Sequence, residues 1–344
     1  MPVTDPSPPP QKWPARKVLP DLRRLFQPIA EPLLRTDRAL RAALKSCDPA
    51  VNELAGYGCL LGGKRLRPAL LLLAADATGG IQDPHYLLGA VVEMIHTATL
   101  VHDDVIDEAS TRRDLPTVNA RWDTPTSVLL GDFLFTNAFH LASTLSSTTA
   151  CRWIGEATNR VCEGELRQKL VRGNWELDEY DYFAIIEAKT AELCAVSCRL
   201  GAHFAGATPV QVQALSEFGR LLGIAYQIVD DLIDLAGDQG RAGKSLGTDL
   251  IQQRPTLPII RALAKLPRAQ RTTLLQLLQA PQAASAPSRQ AVADLLRSTD
   301  GLESTVETAR ETIRRAIAML DEIPSSSSRS ILAKLADTVV AIAE

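Results

Sequence analysis

The sequence is poor in the features that mark several protein classes. Only 5% of its 344 residues are aromatic, and 37 basic residues stand against 40 acidic ones, for a formal net charge of −3. Surface binding of nucleic acid usually needs a basic chain with aromatic and basic residues interleaved, so we expect no nucleic acid partner. No stretch reaches about 18 uninterrupted apolar residues, so no transmembrane segment is expected, and the N-terminus lacks an apolar signal core.

The six cysteines include no C-x-x-C pair. Cys194 and Cys198 are i, i+4 neighbours on a helical stretch, where a disulfide is unfavourable. The pattern favours small, buried, reduced thiols, which is typical of a cytoplasmic protein.

Strand-type alternation is also scarce, whereas Leu, Ala, Arg and Glu dominate long stretches. This composition predicts an all-α protein. Residues 1–20 are rich in proline and are predicted to form a disordered arm. No shift in composition divides the rest, so residues 21–344 are predicted to form one all-α domain.

One acidic motif is present twice, as Asp103-Asp104-Val-Ile-Asp107 and as Asp230-Asp231-Leu-Ile-Asp234, each within an apolar helical segment. Carboxylates at i and i+4 lie on one helix face about 5.4 Å apart, where like charges repel. Apolar surroundings raise the cost of desolvating them further. Clustered carboxylate oxygens are suited to Mg²⁺, which commonly joins carboxylates to substrate phosphates. The motifs therefore predict that this chain holds hard cations and a phosphorylated substrate.

Basic residues occur in small groups beside these motifs, as a polyanion between the cations would require. They comprise Lys64, Arg65 and Arg67 in "GGKRLRP", the pair Arg112-Arg113, Lys189 followed by Thr190, Lys244 in "GKSLGTDL", and His96 two turns before Asp103. Each alone has an ordinary explanation, such as a surface ion pair, a helix cap or a core histidine. Their combination and order favour a shared site.

In this order the motifs closely resemble those of the trans-type polyprenyl diphosphate synthases. The resemblance covers residues 55–262 and consists of "GGKRLRP", "EMIHTATLVHDDVID", "RR", "PTVN", "GD", "EGE", "KT", "YQIVDDLID", "GKSLGTDL" and "TLP". It implies a helical bundle of the isoprenoid synthase type around a deep central cavity, usually a homodimer. It also implies a Mg²⁺-dependent prenyltransferase that condenses isopentenyl diphosphate with an allylic diphosphate.

The resemblance assigns a role to each matching residue. About three Mg²⁺ ions would be held by six aspartates, Asp103, Asp104, Asp107, Asp230, Asp231 and Asp234. The allylic diphosphate would contact Arg112, Lys189, Thr190, Gln227 and Lys244. Isopentenyl diphosphate would contact Lys64, Arg67, His96 and Arg113. Among these residues Asp103, Asp107, Asp230 and Lys189 are the expected catalytic set.

Three residues depart from the family pattern. Asp114 stands where a glycine usually follows the arginine pair, and it adds a negative charge beside phosphate-binding residues. Tyr226 replaces a usual phenylalanine before Gln227. Arg254 stands where a lysine is frequent, which keeps the charge but changes its reach and geometry. None of the three removes an expected metal ligand.

Product length in this family depends on the helix before the first aspartate motif. Ala98 and Thr99 stand where bulky aromatic residues stop growth at short products, and Met94, Ile95 and Val91 further up are apolar but not aromatic. The small pair predicts a long product, heptaprenyl or longer, as used for quinone side chains. The alternative is that Ala98 only packs in the core and that another helix, such as the one carrying "RVCEGELRQ", forms the floor of the pocket.

Other functions share part of this pattern. A short-chain farnesyl or geranylgeranyl diphosphate synthase, or a non-catalytic partner subunit of a heteromeric synthase, would have the same fold. A class I terpene cyclase and a head-to-head condensing enzyme also use acidic clusters, but neither needs the "GGKRLRP" site. The segment "GKSLGTDLIQQ" and the C-terminal helices are candidate lids that would exclude water.

Overall fold

The computed structural model describes residues 22–61, 65–113, 115–236, 246–280 and 282–341. These residues form α-helices almost throughout. In chain order they are α1 (Leu22–Leu25), α2 (Ala30–Ala43), α3 (Pro49–Leu61), α4 (Leu66–Asp76), α5 (Asp83–Ile106), α6 (Val118–Arg121), α7 (Thr124–Ser143), α8 (Thr149–Leu170), α9 (Glu179–Ile186), α10 (Glu192–Phe204), α11 (Pro209–Ala236), α12 (Thr248–Ile251), α13 (Leu257–Lys265), α14 (Arg268–Gln279), α15 (Ala286–Arg297), α16 (Gly301–Met319) and α17 (Ser327–Ala341). The prediction of an all-α fold is confirmed.

Three shorter helical segments and one hairpin complete the described secondary structure. The segments Gln27–Ile29 and Leu320–Glu322 are 3₁₀-helices, and Glu187–Ala191 is a π-helical turn between α9 and α10. Strands β1 (Thr111–Arg112) and β2 (Leu115–Pro116) pair antiparallel, with Thr111 opposite Pro116. The predicted N-terminal arm, residues 1–20, lies outside the described residues.

The centre of the bundle consists of α5, α10 and α11. Helix α10 packs on α4 and α11, α5 packs on α7, and α11 packs on α16. Helix α4 carries "ALLLLAA", whose side chains are all fully buried, as expected for a helix that is apolar on every side. One cluster of buried apolar side chains extends from Phe26 to Val340. Within the described ranges, no helix combines the length and the apolar character needed to cross a membrane.

Both acidic motifs lie near the C-terminal ends of long, mostly buried helices. Helix α5 begins with a capping box between Gln82 and His85 and ends at Ile106, so Asp107 is its C-cap. Helix α11 begins at Pro209, where the missing backbone N–H is not needed, and runs through the second motif. The backbone around both motifs is therefore fixed by the core. The cysteines are free thiols: Cys194 and Cys198 are buried as predicted, but Cys47 and Cys162 are exposed, so that expectation is wrong for them.

Candidate active site

The two aspartate motifs, 127 positions apart, meet through one arginine. The Arg254 guanidinium lies 2.9 Å from both carboxylate oxygens of Asp107 and 3.4 Å from Oδ1 of Asp249. The backbone N–H of Asp249 donates to Oδ2 of Asp234 at 2.9 Å. A continuous polar chain therefore connects the end of α5 to the end of α11.

A second connection runs through the π-helical turn that carries Lys189. The Lys189 ammonium donates to Glu165 and to Gln168, both on α8, at 2.8 Å. It also lies 4.0 Å from Oδ2 of Asp103. The lysine thus joins the first aspartate motif to α8.

The residue after that lysine reaches the second motif. The Thr190 hydroxyl donates to Gln227 Oε1 at 2.8 Å, and the Gln227 amide donates to Asp231 Oδ1 at 2.7 Å. Lys189 and Thr190 are adjacent in the chain. Residues predicted to bind one diphosphate therefore span the space between the two motifs.

Two glycines allow the π-helical turn to lie between α8 and α11. A Cβ on Gly164 of α8 would lie 2.7 Å from the backbone nitrogen of Lys189, and one on Gly223 of α11 would lie 2.5 Å from Cα of Ala191. Real Cβ atoms do not approach backbone this closely, so any larger residue would push the turn away. Single π-helical turns occur frequently at functional sites.

The carboxylates of the first motif are engaged by arginines. Asp104 is buried and accepts from Arg112 Nε at 2.9 and 3.0 Å. Asp107 accepts from Arg172 at 2.6 Å and from Arg254. Burial alone would raise the pKa of Asp107, but Arg254 and hydrogen bonds to the carboxylate bring it below its usual value. Over the described ranges, no three carboxylate, imidazole or thiol groups converge closely enough to hold a metal ion as they stand.

Three further acidic groups of the site have raised pKa values, so added cations would stabilise their ionised forms. Burial raises the pKa of Asp103, and Lys189 offsets this only in part while Asp107 adds to it. Burial and the neighbouring Asp103 raise the pKa of Glu165. Burial and Asp249 raise that of Asp231 well above its usual value. Every donor in this set is a carboxylate oxygen, so its chemistry fits a hard divalent cation such as Mg²⁺.

A group of cations surrounds His96 on α5. Burial lowers the pKa of His96 well below its usual value, and Arg67, Arg113 and Arg112 lower it further. The Arg67 Nε is buried and has no hydrogen-bond partner within the described structure. The structure thus brings together three of the four residues predicted for the isopentenyl diphosphate site, with a buried donor left for an anion. The fourth, Lys64, lies outside the described residues, as do Lys244 and Asp114.

Arg65 has a different position from its neighbours in "GGKRLRP". Its guanidinium pairs with Asp37 at 2.8 Å and with Glu93 at 2.6 Å, and its backbone is left-handed, with φ 57°. Burial would lower the pKa of Arg65, but Glu93 and Asp37 raise it above its usual range. This triad fixes the start of α4, and with it the position of Arg67.

A cavity of about 40 Å³ lies beside the second motif. Its wall includes Gln168, Lys189, Gln227, Asp231, Asp249 and Arg254, with Val171, Leu177, Tyr182, Ile185, Ile186, Pro255 and Thr256. A space of this size admits only water-sized groups and is far smaller than a typical substrate pocket. Of the residues proposed from sequence to set product length, Met94, Ile95 and Ala98 are fully buried, whereas Thr99 is half-buried and donates to His96 O at 2.8 Å.

Three residues contact the site without a role assigned from the sequence. Glu165 lies in the "EGE" segment, a motif of the resemblance that could have identified it as a site residue. Arg172 lies two residues after the end of α8, and no motif in the sequence marks it. The Tyr182 hydroxyl donates to Asp231 Oδ2 at 2.7 Å, and no local pattern marks it.

Comparison with known proteins gives a consistent result. Residues 48–295 match the polyprenyl synthetase family. The chain is 34% identical over 320 residues to the octaprenyl diphosphate synthase of Escherichia coli K12, which covers 93% of this chain and 98% of that protein. Among solved structures, a decaprenyl diphosphate synthase from Rhodobacter capsulatus superposes with a TM-score of 0.87 at 36% identity, covering 93% of this chain and 98% of that one. A polyprenyl synthase from Caulobacter crescentus CB15, complexed with calcium and isoprenyl diphosphate, superposes with a TM-score of 0.86 at 32% identity, covering 95% and 99%.

Proposed function

Because the chain belongs to the polyprenyl synthetase family, we propose that its two aspartate motifs hold an allylic diphosphate and that the enzyme adds isopentenyl diphosphate to it. The chain is a prenyltransferase that makes a long-chain all-trans polyprenyl diphosphate. The observation that carries this proposal is the double connection between the motifs, through Arg254 and through Lys189-Thr190. Cations and carboxylates alternate across one pocket, as recognition of a metal-bound diphosphate requires.

We assign the metal-binding role to the aspartates of both motifs. Asp103, Asp107 and Asp230 are the proposed ligands for Mg²⁺. Asp104, Asp231 and Asp234 stand beside them and accept hydrogen bonds from protein groups, so they orient the motifs. When bound, the divalent cations would supply stabilisation of the negative charge on the departing diphosphate.

The protein side chains supply the positioning. Lys189, Thr190, Gln227 and Arg112 are proposed to orient the allylic diphosphate, and Lys244 is assigned to the same group by resemblance. Arg67, His96 and Arg113, with Lys64, are proposed to hold isopentenyl diphosphate. Holding the two substrates at adjacent subsites makes the condensation effectively intramolecular. Cleavage of the allylic C–O bond releases diphosphate and leaves an allylic carbocation, which the double bond of isopentenyl diphosphate attacks with loss of a proton. A water-poor pocket would protect this carbocation from reaction with water.

The finer features of the product and the assembly are also proposals. Ala98 and Thr99 have small side chains, which we propose let a long chain grow past them. The relatives named above include octaprenyl and decaprenyl diphosphate synthases, which supports a product suited to quinone side chains. We propose that the enzyme is a homodimer. This is consistent with Val128 and Leu129, two apolar residues of α7 that are exposed in the single chain. Light scattering of the purified chain tests the assembly.

The activity is tested with purified protein, Mg²⁺, labelled isopentenyl diphosphate and farnesyl diphosphate. We expect a homologous ladder of prenyl diphosphates, whose alcohols are sized after dephosphorylation. The Asp103→Asn variant is expected to lose this activity, and EDTA is expected to abolish it. A hydrocarbon product, or activity only after a second subunit is added, would overturn the proposal.

A further inference from the structure

Asp107 is paired with two arginines at once. Arg172 Nη2 lies 2.6 Å from Oδ1, and Arg254 Nη2 lies 2.9 Å from each oxygen. Both guanidinium groups therefore occupy oxygens of a carboxylate that is proposed to bind a divalent cation. Two like-charged guanidinium groups and a divalent cation would repel one another at a single carboxylate, so at least one arginine must leave when the cation binds.

The two arginines are not held equally. Arg254 also contacts Asp249 and lies on a turn next to α12. It therefore keeps an acidic partner when a divalent cation binds Asp107. Arg172 has one acidic contact, with Asp107, among the ion pairs seen in the described structure, and its side chain is 27% exposed. Arg172 is therefore the residue free to move.

The backbone beneath Arg172 is fixed, so the movement belongs to its side chain. Trp175 and Leu177 anchor the segment after α8 in the core. The Gly173 N–H donates to Gln253 O at 2.8 Å, which ties this segment to the turn carrying Arg254. The left-handed φ of Gly173, 73°, permits this contact.

Both guanidinium groups retain an unused donor. The Nε of Arg172 and the Nε of Arg254 are buried, with no hydrogen-bond partner in the described part of the molecule. A buried donor without an acceptor is costly and indicates a missing partner. Phosphate oxygens are suitable acceptors, because a guanidinium binds them with two parallel hydrogen bonds.

We propose that Arg172 is a further diphosphate-binding residue of this enzyme. Its guanidinium neutralises Asp107 while the site is empty and pairs with the allylic diphosphate when divalent cations take Asp107. This inference rests on the proposed function, since it requires a diphosphate to arrive with the cations. Arg172 would then couple substrate binding to metal binding through one exchange of partners.

The test compares wild type with Arg172→Gln and a matched control, Arg167→Gln. Arg167 lies on the same helix end, is 54% exposed and contacts Asp181 rather than either motif. Mn²⁺, detected by electron paramagnetic resonance, replaces Mg²⁺ in titrations of the substrate-free full chain. Removing the competing guanidinium is expected to tighten Mn²⁺ binding about threefold to tenfold. The same variant is expected to raise the KM for farnesyl diphosphate about tenfold, with the KM for isopentenyl diphosphate unchanged.

The outcomes separate this proposal from the proposed function. Unchanged or weaker Mn²⁺ binding in Arg172→Gln, or an unchanged KM for farnesyl diphosphate, would overturn the role of Arg172. Arg167→Gln must behave as wild type in both assays. If wild type makes no prenyl product but Arg172→Gln still tightens Mn²⁺ binding, the function fails while the pairing with Asp107 stands. Should Arg172→Gln unfold, Arg172→Lys serves instead, and it is expected to shift both quantities in the same direction by a smaller factor.

Discussion

The hydroxyl of Tyr182 donates a hydrogen bond of 2.7 Å to Asp231, a residue 49 positions later in the chain. Both side chains are buried, and the other carboxylate oxygen of Asp231 accepts from Gln227. Burial and Asp231 hold the pKa of Tyr182 well above its usual value, so the phenol stays protonated and remains a donor. The tyrosine therefore orients the second aspartate motif without belonging to it.

Tyr182→Phe should expose the importance of this contact. One oxygen of a buried carboxylate would lose its donor, so we expect the free energy of unfolding to fall by about 1–3 kcal/mol. We also expect kcat to fall, because the Asp231 carboxylate that accepts from Gln227 is no longer held in place by the tyrosine, with the KM for isopentenyl diphosphate unchanged. Urea unfolding and steady-state kinetics measure both. Tyr180→Phe is the control, since that residue is 78% exposed. Equal effects at the two positions would contradict the assignment.

Two aspartates of one motif should respond in opposite ways to neutralisation. The pKa of Asp103 is raised in the folded protein, so its ionisation opposes folding, and stability is lost as pH rises from the usual aspartate value through the raised one. Asp103→Asn removes this cost. Near pH 7 we expect a gain of roughly 0.5–2 kcal/mol in unfolding free energy together with loss of activity.

Ionisation of Asp107 has the opposite effect on stability. Its pKa is lowered, so its ionisation favours folding above the usual aspartate value, and this stability is lost as pH falls through the lowered pKa. Asp107→Asn removes the partner of Arg172 and Arg254, and we expect a loss of about 1–3 kcal/mol near pH 7. Urea unfolding of both variants over a pH series checks the pair. A shift of the same sign in both variants would refute the electrostatic picture.

His96 is expected to be neutral near pH 7. Burial and the cations of Arg67, Arg113 and Arg112 lower its pKa well below 6.5. As pH falls below 6.5, His96 becomes protonated in the unfolded chain but stays neutral in the folded protein. Stability therefore declines with acidification. We expect His96→Gln to flatten that slope. In NMR titrations of the substrate-free protein the ring should not titrate near 6.5, and inorganic pyrophosphate should raise its pKa by offsetting the arginines. Titration at or above 6.5 without ligand would be evidence against this environment.

Arg254 provides a further test of the connection between the motifs. Its fork contacts Asp107 and Asp249 together, which a lysine ammonium cannot match. We expect Arg254→Lys to keep the charge but weaken this connection, with a loss of about 1 kcal/mol in unfolding free energy. The KM for farnesyl diphosphate should rise. Stability and KM that both equal wild type would show that the planar fork is not needed.

The sequence predicted the parts of the site whose residues share a local pattern. The aspartates repeat at i, i+1 and i+4, and Lys189-Thr190 and Gln227 lie within recognisable segments, so both the all-α fold and the grouping of these residues could be foreseen. Arg172 and Tyr182 could not be, because their partners lie 65 and 49 positions away and only tertiary packing brings them together. The π-helical turn was also not foreseen, since it depends on the close approach of Gly164 and Gly223.

The length of the product is expected to depend on Ala98, which is fully buried on α5 five residues before Asp103. A side chain there lies more than one turn deeper than the aspartate, along the direction in which a prenyl chain held by the motif would grow. A phenyl ring at this position would occupy that space. Ala98→Phe should therefore shorten the product, which is measured by sizing the dephosphorylated alcohols.

A matched variant separates an effect on the product pocket from simple overpacking of the core. Ala336 is equally buried but lies on α17, whose main contacts are with α16, α4 and α11 and not with α5. Inserting phenylalanine at either position is expected to cost about 1–3 kcal/mol of stability. We expect only Ala98→Phe to shift the product distribution. If both variants lose stability and both keep the wild-type chain length, then Ala98 is a packing residue and the end of the pocket is formed by another helix.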